Sequence, residues 1–177
     1  MYLRKWALAI FVFVSISTSC FGQEKDFPVP AGINNQLFYL QRTSNTNTIV
    51  YELNFKDGSL DPSDPVRGFW IRYQEKGQRQ ELSFIQRKFA YGIVSKKIAD
   101  NQYELSFVSY KKYKLYLKLG DDRKFCVYTS INQKAAILTR IFIKINGGSF
   151  WSPNIEYVEI SGVEPGSHAA VKERLKI

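Results

Sequence analysis

Cysteine, histidine and methionine are scarce: the 177 residues hold two, one and one. The lone His168 sits in the turn-like tail Glu164-Pro165-Gly166-Ser167-His168. A Ser-His-Asp or Cys-His mechanism would have to recruit it from there, and no Gly-x-Ser-x-Gly elbow presents a nucleophile. Beyond residue 22 the only cysteine is Cys126, so a His/Cys zinc site lacks ligands and an intramolecular disulfide lacks a partner. Cys126 falls in the strand-like run Arg123–Tyr128, where a buried, inert thiol is expected. There is no phosphate-cradling Gly-x-x-x-x-Gly-Lys loop and no dinucleotide fingerprint, so no cofactor is expected. The aspartates of Lys56–Pro65 miss the spacing of a calcium loop, which would put Phe55 and Leu53 at ligand positions; no metal is expected. No apolar run reaches the roughly 20 residues of a membrane-spanning helix.

What is present begins with an export signal. Arg4 and Lys5 precede an apolar run from Trp6 to about Ile16, and small residues lead to Cys20-Phe21-Gly22. Residues 1–22 read as a signal peptide cut after Gly22, leaving Gln23 first. The rival is a lipoprotein cut before Cys20, with that thiol acylated; Ser17 stands where an aliphatic residue is expected. The expected location is periplasmic or extracellular, with membrane association only if Cys20 is acylated.

The chain carries 25 Lys+Arg against 16 Asp+Glu, a net charge of +9 that falls to +7 without Arg4 and Lys5. The cations are spread along strands and not gathered into an arginine-rich block, so nucleic acid is not an expected partner. Aromatic residues make up 15% of the chain, enough to fill a core or to line a cavity.

Residues 23–36 read as an extended leader and 37–177 as one β-rich domain. Gln36–Arg42, which holds Leu37, Phe38, Tyr39 and Leu40, and the alternating Thr48–Phe55 are expected strands that could pair as a hairpin across Thr43–Asn47. Further strands are expected over Arg67–Gln74, Ile93–Ile98, Tyr103–Val108, Lys112–Leu119, Lys124–Ile131, Ile137–Ile145 and Asn154–Ser161, the last of them. Asn146-Gly147-Gly148 is expected to break the eighth. Leu82, Ile85 and Phe89 lie at helical spacing, which predicts one short helix over Gln80–Tyr91. The fold class is all-β: an antiparallel sandwich or barrel of about eight to nine strands.

Three constellations carry the functional expectations. Arg42, Glu52, Arg72 and Lys88 sit on or beside runs holding Tyr39, Tyr51, Trp70, Tyr73, Phe89 and Tyr91. Pointed into a cavity, they would fix the acidic end of an apolar ligand; Arg42, Tyr51, Trp70, Arg72, Tyr73, Lys88 and Tyr91 are the candidate binding residues. Outward-facing charge beside core aromatics is the competing account, and alternation does not say which face is inside. Lys112, Lys114 and Lys118 share a face opposite the leucines, either as a surface for an anionic envelope polymer or as the wet side of a sheet. Asp57, Asp61, Asp64 and Glu81 would serve a glycan hydrolase only if two met in one cleft.

Several of these runs also carry a resemblance. Phe38-Tyr39-Leu40-Gln41-Arg42, Asn45–Tyr51, the Asp57-Gly58 to Val66 loop, Trp70-Ile71-Arg72-Tyr73 and Ile85–Gly92 resemble the family called domain of unknown function 4833, from about Leu37 to the C-terminus. The resemblance implies a small exported bacterial protein and carries no assigned chemistry. Together these readings predict a non-catalytic envelope or extracellular protein that binds a lipid, glycan or other small ligand. A carboxylate-pair glycan hydrolase and a basic module for anionic polymers are the alternatives.

Overall fold

The computed structural model describes residues 27–120, 122–149 and 151–176. The expectations for the signal peptide, Cys20, Gly22 and Gln23 lie outside these residues. The chain is mostly β, with a curled sheet that forms a half-barrel. Its strands are β1 (Gln36–Arg42), β2 (Thr48–Leu53), β3 (Phe55–Lys56), β4 (Ser59–Leu60), β5 (Val66–Ile71), β6 (Arg79–Glu81), β7 (Ile93–Ala99), β8 (Gln102–Phe107), β9 (Tyr110–Leu119), β10 (Phe125–Ile131), β11 (Lys134–Gly148), β12 (Pro153–Val163) and β13 (Ala170–Lys176).

The long strand β11 is the spine. Along one edge it pairs with β12, from Ile137↔Val163 to Gly148↔Pro153. Along the other it pairs first with β10, up to Tyr128↔Ile137, and then with β1, from Tyr39↔Arg140 to Arg42↔Ile143. Two wings therefore leave the same edge, β10-β9-β8-β7 and β1-β2-β5-β6. They curl until β5 packs against β7, with the Ser95 hydroxyl on the Ser63 carbonyl at 3.3 Å. The β1–β11 pairing is parallel and every other pairing antiparallel, so the sheet is mixed where a purely antiparallel one was expected.

A bulge explains why β11 can serve both wings. Pairing with β12 shifts between Leu138 and Arg140, so Thr139 is an extra residue. Ala136 and Leu138 belong to the inner core, and beyond the bulge Ile141 does so too. The alternation expected for Ile137–Ile145 thus changes phase midway, which puts Arg140 and Phe142 outside.

The inner face carries the main core, including Phe38, Leu40, Ile49, Tyr51, Trp70, Leu105, Leu115, Leu117, Val127 and Leu138. Part of the outer face is covered as well. Val50, Phe69 and Ile71 form a second cluster with Ile33, Tyr39 and Tyr73. The leader reaches this side: Phe27 meets Phe142 edge to face, and the buried Gln41 amide donates to the Pro28 carbonyl at 2.8 Å. Strand β2 is consequently buried on both faces, as Ile49, Val50 and Tyr51 show.

The expected helix is shorter and displaced. Gln80 and Glu81 belong to β6, an edge strand that pairs with β5. Ser83 then caps one α turn, α1 (Phe84–Gln86), with a reciprocal Ser83/Gln86 capping box, and the chain widens into a π turn over Arg87–Tyr91. Gly92 follows because a Cβ there would collide with the Arg87 carbonyl oxygen. Strand β13 was not expected; it is an edge strand of alternating half-buried and exposed residues after the Glu164–His168 turn. The break expected at Asn146-Gly147-Gly148 comes at its end: β11 runs through Asn146 and Gly147 to Gly148, with both glycines at positive φ. Asp57-Gly58 makes the tight β3–β4 turn, also at positive φ.

Candidate functional site

A cavity of about 550 Å³ lies between the inner faces of β11, β12 and β13 and the π turn. Ile141, Ile143, Ile145, Ile155, Val158, Ile160 and Leu175 provide hydrocarbon walls, and Phe89, Tyr91, Phe107, Tyr110, Tyr113 and Trp151 provide rings. Its volume is in the range of small-molecule sites, and its walls have their usual character. The inward period of β12 supplies Ile155, and the shift beside it brings Val158 and Ile160 to the same side. The bulge at Thr139 is what turns Ile141, Ile143 and Ile145 inward.

Arg42 is the only charged residue among the described residues that line this cavity. It is the last residue of β1, inward with Leu40, and it is locked there by Thr43. The Thr43 backbone N–H donates to the Ile143 carbonyl at 3.0 Å. The Thr43 hydroxyl donates to the Ile145 carbonyl at 2.8 Å and accepts from its N–H at 2.6 Å. The guanidinium carbon lies 5.9 Å from the ring centres of both Trp70 and Tyr91. Its Nε is buried and has no hydrogen-bond partner among the described residues. A buried cationic donor without an acceptor is costly unless something else supplies one.

The rings around Arg42 are held from behind. Tyr51, fully buried, stacks on Phe38 at 4.6 Å and donates its hydroxyl to the Tyr91 carbonyl at 2.9 Å. The Trp70 indole donates to the Gln86 side-chain oxygen at 3.2 Å, and its ring meets Tyr91 edge to face at 5.4 Å. Burial pushes the Tyr91 phenol up, with the Arg42 charge opposing. Opposite, the Tyr113 and Thr129 hydroxyls share a 2.6 Å hydrogen bond.

The structure sorts the sequence candidates. Arg42 and Tyr91 line the cavity, and Tyr51 and Trp70 support them without lining it. Arg72 lies elsewhere, forked onto Glu75 at 2.7 and 3.0 Å in the turn after β5. Tyr73 packs on the outer face, and Lys88 projects from the helical turn toward the rings of Phe84 and Phe89, 5.4 Å from each. Glu52 faces outward and binds Arg67 and Arg79, both at 2.8 Å. Phe107, Tyr110, Tyr113 and Trp151 were not among the residues expected to line a cavity. An apolar residue lining a cavity has the same periodicity as one filling a core, so only their aromatic excess was a signal.

The other constellations take these places. Lys112, Lys114 and Lys118 are exposed on the outer side of β9; Lys114 pairs with Glu104 at 2.8 Å, and Lys118 lies 4.2 Å from the Tyr128 ring centre. Asp61 accepts from the Ser63 N–H and hydroxyl, and Asp57 occupies the β3–β4 turn. Asp64 and Glu81 border a second, polar cleft of about 280 Å³ with Arg67 and Arg87, and Arg79 pairs with Glu81 at 3.1 Å. Cys126 is half-buried, and burial pushes its thiol up, away from thiolate reactivity.

Fold and site together define a half-barrel with an apolar, arginine-tipped cavity beside its spine. A family model, Domain of unknown function (DUF4833), matches residues 38–174, and the chain belongs to that family. Comparison with curated proteins finds no match, and comparison with solved structures finds none either.

Proposed function

We propose that this is a non-catalytic binding protein for a small amphiphile, an apolar body carrying one acidic group. The observation that carries this reading is the buried Nε of Arg42, without a partner among the described residues, on the wall of a hydrocarbon-lined cavity. An arginine planted there by its strand, stacked near two rings and short of an acceptor, fits a carboxylate or phosphate oxygen in charge-assisted hydrogen bonding. The isoleucine, valine and aromatic walls suit an alkyl or ring system of modest length. The described lining residues include no carboxylate, histidine or cysteine, so the cavity favours holding an anion over transforming it. Export to the envelope or beyond, read from residues 1–22, is part of the same proposal.

The test is native mass spectrometry of the protein recovered from expressing cells, together with titration by a fluorescent long-chain fatty acid. Saturable one-to-one binding that falls about tenfold or more in Arg42→Met is the expected result. Absence of saturable binding, or an Arg42→Met chain that binds as well as the parent, would sink the reading.

A further inference from the structure

Five large apolar side chains stand exposed near the mouth of the cavity: Phe84 at 69%, Ile85 at 49%, Phe89 at 51%, Tyr110 at 54% and Trp151 at 68%. They come from three segments far apart in sequence, the α1 and π turns, the start of β9 and the approach to β12. The fold draws these segments together. Phe89 and Trp151 meet edge to face with ring centres 6.1 Å apart. The Ser109 hydroxyl donates to the Ala90 carbonyl at 2.7 Å, which ties the β8–β9 turn to the π turn. The ammonium of Lys88 lies 5.4 Å from the rings of both Phe84 and Phe89. Phe89, Tyr110 and Trp151 also line the cavity, so the patch borders it. Contiguous exposed apolar surface of this kind marks an interaction site.

Charge selects the partner. Lys88 stands among these rings, and the stretches Phe84–Gly92, Phe107–Lys112 and Trp151–Ile155 hold no aspartate or glutamate; of their other cations, Arg87 turns to the second cleft and Lys112 lies on the outer side of β9. A second copy of the chain, meeting this patch with its own, would set cation against cation. Aromatic rings with a lysine among them match the headgroup region of a membrane, where rings settle at the acyl boundary and long cations reach anionic headgroups. We infer that this rim docks on the surface of a bilayer containing anionic lipid, with the cavity opening toward it. The contact proposed is interfacial; among the described residues no helix is long and apolar enough to cross a membrane. Docking needs no acyl chain on Cys20. Exchange of an amphiphile between bilayer and cavity rests on the binding function proposed above; docking itself does not.

The experiment is co-sedimentation of the full chain carrying Cys20→Ser, which removes any acyl anchor, with phosphatidylcholine vesicles. The vesicles are made with and without about a third phosphatidylglycerol. The same chain is compared with added Phe84→Ser/Ile85→Ser and, separately, with Lys88→Glu, so that any contribution from the N-terminal residues is common to all three. The parent is expected to prefer the anionic vesicles and to release them as salt rises, and each variant to bind about fivefold less or weaker still. Unchanged unfolding midpoints confirm that the variants fold, and because one variant removes apolar contact and the other charge, either alone decides. Equal sedimentation of parent and variants overturns docking, as does equal binding to neutral and anionic vesicles. A concentration-dependent dimer abolished by the same variants also overturns it and makes the patch an interface between copies. Phe84 and Ile85 lie outside the cavity wall, so loss of docking with fatty-acid binding intact refutes neither proposal. Arg42→Met losing fatty acid while keeping vesicles separates the two in the other direction.

Discussion

The guanidinium carbon of Arg42 stands 5.9 Å from the centre of the Tyr91 ring, and its Nε is buried without a hydrogen-bond partner among the described residues. The two residues are far apart in sequence and lie on different elements, a strand end and a π turn. Ring contact compensates part of the cost of burying the cation, and an anionic ligand would compensate the rest. Arg42→Met is expected to change unfolding free energy by no more than about 1 kcal/mol, because lost cation–ring attraction and relieved desolvation oppose each other. The same variant loses most of its affinity for a fatty acid. Urea unfolding and fluorescence titration on one preparation check both outcomes.

Tyr51→Phe tests the support behind the cavity. The Tyr51 hydroxyl is fully buried and donates to the Tyr91 carbonyl at 2.9 Å. Removing it leaves that carbonyl without this donor and is expected to cost about 1–2 kcal/mol in urea unfolding. The ring stack on Phe38 survives, so the fold is retained and the circular dichroism spectrum should be unchanged.

Two buried carboxylates set the acid response. Burial pushes Glu52 up, but the hydrogen bonds and charges of Arg79 and Arg67 outweigh it, and the group lies below its ordinary value. Burial likewise raises Glu159, and Arg174 and Lys172 bring it below. A carboxyl lowered in the folded state stabilises the protein above its unfolded value, about pH 4.3, and that stability is lost as pH falls through the folded value. Glu52→Gln and Glu159→Gln are each expected to cost about 1–2 kcal/mol at pH 7. The gap from the parent should close as the pH drops below about 4, read by urea midpoints across a pH series.

Gly92 ties the π turn to β7. A Cβ at this position would collide with the Arg87 carbonyl oxygen, which is backbone and can move only if the turn moves. Gly92→Ala is expected to cost about 2–4 kcal/mol and to displace Phe89 and Tyr91 from the cavity wall. Loss of fatty-acid binding alongside the lowered midpoint is the measurement. An alanine variant with the parent's midpoint and affinity would contradict this account of the turn.

Much of the β framework was legible. Gln36–Arg42 and Thr48–Leu53 are rich in aromatic and branched residues and are joined by the polar Thr43–Asn47 link, which identifies a hairpin even though β2 is buried on both faces. Asp57-Gly58 announces its turn through the positive φ that both residues tolerate. Where the reading failed, a competing effect intervened. The bulge at Thr139 shifts the phase of β11, so sequence alternation there assigns half the strand to the wrong face. β13 escaped because its half-buried residues alternate with charges, as on many solvated edges. Gln80 and Glu81 follow the short edge pairing with β5 despite the helical spacing around them.

Composition and local pattern alone determined that this chain is a β protein with one short helical turn, cationic and rich in aromatics, without the cysteine, histidine and glycine motifs of several catalytic classes. They are local properties of neighbouring residues, and a sequence displays those directly. Which arginine enters a cavity was decided only in three dimensions. Arg42 and Arg72 both sit beside aromatics in strand-like runs. Parallel pairing to β11 and the Thr43 lock turn the first inward, while the fork onto Glu75 holds the second away from the cavity. That choice depends on contacts between residues about a hundred positions apart, which no local period encodes.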